Sequence, residues 1–149
     1  PKHLCMEVGP INWLATRAAG LSSFIVGGIW YSPGLFGKTW MKENNFTEDQ
    51  IKKGNKGMVF GWTLIFSLLM AANLGMFLSD PPADCPADCV TRANLSWGAM
   101  AGFLAGIWTF SAIAIHSLFE QKSWKLILIN GFYSAVSLTL MGAIIGVWR

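Results

Sequence analysis

Apolar residues in this chain fall into four long blocks separated by short polar connections. The blocks cover about residues 11–31, 58–78, 93–118 and 124–148. Each reaches the roughly 20 residues that cross about 30 Å of hydrocarbon as a helix. The six prolines (1, 10, 33, 81, 82 and 86) and all eight acidic residues lie between or beyond the blocks. Neither a helix breaker nor a carboxylate therefore interrupts a predicted span. The pattern predicts an all-α integral membrane fold, a four-transmembrane-helix bundle forming a single domain over residues 1–149.

Aromatic residues mark the block ends. Trp13 and Trp30 bracket the first block, and Trp124 and Trp148 the fourth. At about 1.5 Å per residue these pairs stand roughly 26 and 36 Å apart, the separation expected of interfacial anchors. After Trp30 and Tyr31 the chain turns at Ser32-Pro33-Gly34 and returns with Phe36, Lys38 and Trp40. An aromatic belt, a helix breaker and a cation describe a helix leaving a bilayer. Further along, Thr47-Glu48-Asp49-Gln50 reads as a capping box that opens a short interfacial helix, which ends near Gly54. Phe46 and Ile51 are expected to rest on the membrane surface. The acceptor triplet Asn45-Phe46-Thr47 is silent if this loop is cytoplasmic.

Composition agrees with a lipid-facing surface. The chain has 149 residues, 53% hydrophobic and 13% charged, with a mean hydropathy of +0.44; a soluble domain carries about 25% charged residues. The net charge is only +3, and the lysines sit mainly in one loop. No basic stripe of the kind nucleic acid requires is present. No basic segment with a short apolar core and a cleavage site precedes the first block, which is expected to be retained. Seven lysines (38, 42, 52, 53, 56, 122 and 125) fall in the first and third connections. Lys2, Arg92 and Arg149 fall on the other side. The positive-inside rule then puts both termini and the second connection on the non-cytoplasmic side.

Small residues recur at helical spacing. Gly98, Gly102 and Gly106 form a continuous GxxxGxxxG in the third block, Gly142 and Gly146 repeat it in the fourth, and Thr16, Gly20, Ser23 and Gly27 line the first. Spacing of four keeps them on one face, where glycine admits a close neighbouring backbone. The bland reading is packing within the chain, and the sharper one a face for a second subunit. Arg17 lies in the first block, some 9 Å below Ile11. Its side chain can snorkel, make a structural hydrogen bond, or contact a lipid phosphate, an anion or a partner carboxylate. Asn12, Asn73 and Asn130 each call for an interhelical partner; His116 with Glu120 at i+4 can bind or relay a proton, and is read first as an ordinary interfacial contact.

The second connection carries a tandem, Pro82-Ala83-Asp84-Cys85 and Pro86-Ala87-Asp88-Cys89. Without a histidine nearby it lacks the four ligands of a closed zinc site, so no metal is expected. On an oxidising side Cys85 and Cys89 are candidates for a disulfide, with Cys5 the alternative partner. Hydrolase, phosphate-loop and dinucleotide motifs are absent. No catalytic residue and no cofactor is implied.

A resemblance covers nearly the whole chain. Ile11-Asn12-Trp13-Leu14, the segment Gly28 to Trp40, Gly54-Asn55, Leu118-Phe119-Glu120, Leu128 to Tyr133 and Leu140 to Trp148 resemble a family of small four-helix membrane proteins. It is catalogued as domain of unknown function 1761. The resemblance implies a four-helix membrane fold and carries no activity. Arg17 and the PADC tandem depart from its usual pattern. The expected function is a non-enzymatic accessory subunit packing within a larger membrane complex, its partners being lipids and other membrane subunits or itself. The alternative is a small oligomeric transporter or channel.

Overall fold

The computed structural model describes residues 10–79 and 94–148. Cys85 and Cys89, with Cys5, Lys2, Arg92 and Arg149, lie outside these residues. The described residues form six helices and no strand: α1 (Trp13–Trp30), α2 (Gly37–Glu43), α3 (Glu48–Lys53), α4 (Lys56–Phe77), α5 (Leu95–Phe119) and α6 (Trp124–Val147).

Short polar side chains set the helix starts. Asn12, Asn55, Asn94 and Ser123 accept from Ala15 N, Met58 N, Trp97 N and Leu126 N at 3.1, 3.0, 2.9 and 3.3 Å. Each satisfies one of the amides that a helix start leaves unpaired. The first connection holds two short helices rather than one. α3 has the reciprocal capping box between Thr47 and Gln50. α2 has no side-chain cap at its start, so no local signal announces it.

Two helices stop by the same device. After α2, Asn45 takes φ 58°, with Phe46 N bonded to Met41 O and Asn45 N to Lys42 O. After α5, Gln121 takes φ 57°, with Lys122 N bonded to Ser117 O and Gln121 N to Leu118 O. Both are Schellman closures, which need one left-handed residue. Gly54, by contrast, ends α3 in extended backbone at φ −64°.

α4, α5 and α6 are long and apolar enough to cross a membrane. α1 has 18 residues but does not join them, because Thr16, Arg17, Ser22 and Ser23 dilute its hydropathy. In space the order is α4–α1–α6–α5: α1 packs on α4 and α6, and α6 packs most extensively on α5. Ala19, Ala71, Leu74, Ala101, Leu138, Met141 and Ile145 form the buried centre. Outside it, Leu21, Ile25, Phe66, Phe103 and Phe132 stand half exposed. Water would penalise such a surface by about 25 cal/mol per Å², and hydrocarbon would not.

Candidate functional site

The tightest contact is built from glycine. A Cβ placed on Gly98 would overlap Gly142 O, one on Gly102 would overlap Leu138 O, and one on Gly146 would overlap Asn94 O. On Gly106 it would stand 2.7 Å from Ala135 Cα. α5 and α6 therefore meet backbone to backbone, the close approach that small residues at this spacing allow. Against α4, α1 uses Gly20 under Leu68, and Thr16 Oγ1 sits 2.7 Å from a Cβ built on Gly75. Against α6, it uses Gly27 under the Tyr133 ring.

Polar side chains tie α1 to α6 at both ends. Asn12 Nδ2 donates to Trp148 O at 3.0 Å. At the opposite end Trp30 Nε1 donates to Ile129 O at 2.9 Å, and Tyr31 Oη donates to Asn130 Oδ1 at 2.7 Å. Tyr133 Oη donates to Ser23 O at 3.2 Å. Asn12 and Asn130 thus have interhelical partners, whereas Asn73 Nδ2 bonds Leu69 O in its own helix at 2.9 Å. Tyr31 also packs edge-on against Trp40 and Tyr133, at ring separations of 5.8 and 5.3 Å. Trp30 lies 4.7 Å from Phe36. The turn between them closes through Gly37, buried against the Tyr31 and Ser32 carbonyls with no room for a Cβ. Trp30 and Tyr31 therefore bind the end of α1 to α6 across 99 positions that no local pattern connects, and Trp40 packs α2 back against Tyr31. Trp13, Trp124 and Trp148 remain well exposed.

Arg17 faces outward from α1, on the same exposed side as Leu14 and Leu21. Among the described residues it makes no hydrogen bond and no ion pair. His116 and Glu120 are likewise exposed, and no ion pair joins them.

Because α4 leans on α1 and α5 on α6, α4 and α5 do not pack along their lengths. Between them lies an apolar cleft of about 900 Å³. Leu74, Ala101 and Leu138 form its floor; Phe66, Leu69 and Phe77 stand on one wall, and Trp97, Leu104 and Trp108 on the other. Phe77 and Trp97 close one end, with ring centroids 6.2 Å apart. Asn73 and Thr109 are the polar residues of the lining, and both donate to carbonyls of their own helices. The lining holds no titratable side chain and no metal ligand set, and among the described residues no group of three or more His, Cys, Asp or Glu converges. It can bind hydrocarbon and offers nothing for acid–base chemistry.

The family model described as "Protein of unknown function (DUF1761)" matches residues 14–146. The chain belongs to the DUF1761 family. The match takes in the glycine seam, the Trp30–Trp40 turn and both walls of the cleft. No curated protein and no solved structure matches this DUF1761 chain.

Proposed function

We infer that this DUF1761 protein is a non-enzymatic packing subunit of a membrane complex, binding the apolar helix of another membrane protein, or of a second copy, along the first half of α4. The bareness of α4 between Lys56 and Phe66 carries this reading. Met58, Val59, Phe60, Trp62, Ile65 and Phe66 are all about half exposed, on every side of the helix. Phe60 touches Phe24 edge-on at 6.0 Å. Gly57 and Gly61 repeat the four-residue spacing of the α5–α6 seam, yet a Cβ on Gly61 would meet nothing within 4 Å. In the most apolar stretch of α4, 17% of residues are buried within the protein, against 22% in α5 and 39% in α6. A three-turn stretch of helix with an unfilled small-residue face is suited to a neighbouring backbone.

In this reading α1 is the fourth span, with Arg17 snorkelling toward the nearer interface. The helices run antiparallel, so the C-terminal ends of α1 and α5 and the N-terminal ends of α4 and α6 share one end. The seven lysines of the first and third connections gather there. That asymmetry supports a cytoplasmic assignment for this end.

Native mass spectrometry after mild detergent extraction tests the assignment. The wild type is expected to carry a second membrane protein. Gly61→Ile is expected to run alone with little change in thermal stability, because its Cβ would meet no neighbouring helix within 4 Å. Retention of the partner by Gly61→Ile removes α4 as the docking face. A homo-oligomer with solute flux in liposomes supports the channel reading instead.

A further inference from the structure

We propose that the α4/α5 cleft is a binding site for an acyl chain of a membrane phospholipid, drawn from the leaflet at the Phe77–Trp97 end. The proposal rests on the membrane-spanning reading and not on a partner at α4. Three observations point to hydrocarbon rather than a helix.

The first is length. The cleft runs from Phe66 to Phe77 on α4 and from Trp97 to Thr109 on α5, about 16–18 Å at the helical rise. One leaflet is half of a hydrocarbon core of about 30 Å, or about 15 Å. A transmembrane partner would cross both leaflets, whereas a lipid tail ends near the midplane.

The second is composition. The helix contacts this chain makes along α1, α4, α5 and α6 use glycine: Gly20 and Gly75 between α1 and α4, Gly27 between α1 and α6, Gly98 and Gly142 between α5 and α6. No glycine lines the cleft, and its walls carry Phe66, Phe77, Trp97 and Trp108. Bulky rims over a floor containing Ala101 hold backbones apart and leave a slot for a flexible chain.

The third is polarity. The hydroxyl of Thr109 and the Nδ2 of Asn73 are committed within their own helices. Asn73 sits one turn from the Phe77 end of the cleft, so the amide lies toward the leaflet surface and not toward the midplane. The body of the cleft is left to dispersion contacts alone.

The test uses the full chain in phosphatidylcholine vesicles doped with a phosphatidylcholine bearing a mid-chain diazirine. After irradiation, adducts are mapped by peptide mass spectrometry. Label is expected at Leu69 and Leu104 several-fold above Ile25 and Phe132, which are at least as exposed, or nearly so, on other faces. Native mass spectrometry in detergent is expected to retain one phospholipid per chain. Ala105→Phe, and separately Leu69→Trp from the opposite wall, are expected to remove both the enrichment and the retained lipid. Even labelling of all exposed faces, or retention unchanged in both filled variants, overturns the proposal while leaving the membrane reading intact. Absence of label anywhere overturns the membrane reading itself.

Discussion

At the scale of single residues, the contrast between filled and unfilled space decides what each side chain does. Ser137 is 2% exposed, and its hydroxyl has no hydrogen-bond partner among the described residues. Burying a hydroxyl unpaired costs about 1–3 kcal/mol, so Ser137→Ala is expected to raise the melting temperature in detergent. A clear drop would mean that the hydroxyl is paired. Sequence alone shows Ser137 as one polar residue among several in an apolar block and gives no sign of its burial. Caps were more legible, because their signal is local: Thr47 and Gln50 announce α3 through spacing alone. Tyr31 and Asn130 stand 99 positions apart, and their bond is visible only once α1 and α6 are in place.

At the scale of helices, glycine spacing is visible in sequence, whereas its occupancy is not. Gly98, Gly102 and Gly106 have the same spacing as Gly57 and Gly61. The first set is closed by α6, while Gly61 faces open space. Gly102→Val would drive a branched side chain into the Leu138 carbonyl, where backbone cannot yield. A loss of about 3 kcal/mol or more is expected, read as early melting or aggregation on size exclusion. A stable, monodisperse Gly102→Val protein would mean that α5 and α6 are not in backbone contact. α2 illustrates the opposite limit. Its seven residues lack a capping side chain, and Trp40 reads locally as an interfacial anchor. What holds α2 is the Tyr31–Trp40 and Trp40–Phe46 ring contacts and the glycine-only turn at Gly37, contacts within ten residues that follow no helical or strand periodicity.

At the scale of the whole molecule, the linear order α4–α1–α6–α5 leaves α4 and α5 apart and produces both features of interest. On one half of α4 lies the cleft, and the other half stands bare. Neither is legible in the sequence, because helices apolar on every face carry no periodicity to say which face is covered. Three helices long and apolar enough to cross a membrane were legible, since block length and charge exclusion are one-dimensional properties. On the reading proposed above, the first half of α4 docks an apolar helix of another membrane protein or of a second copy. The most direct test of that docking is photocrosslinking in native membranes, with benzoyl-phenylalanine in place of Trp62. A discrete protein adduct of fixed mass from Trp62, absent when the probe replaces Ile25 on the exposed side of α1, is the expected result. Adducts with lipid alone at both positions would contradict it.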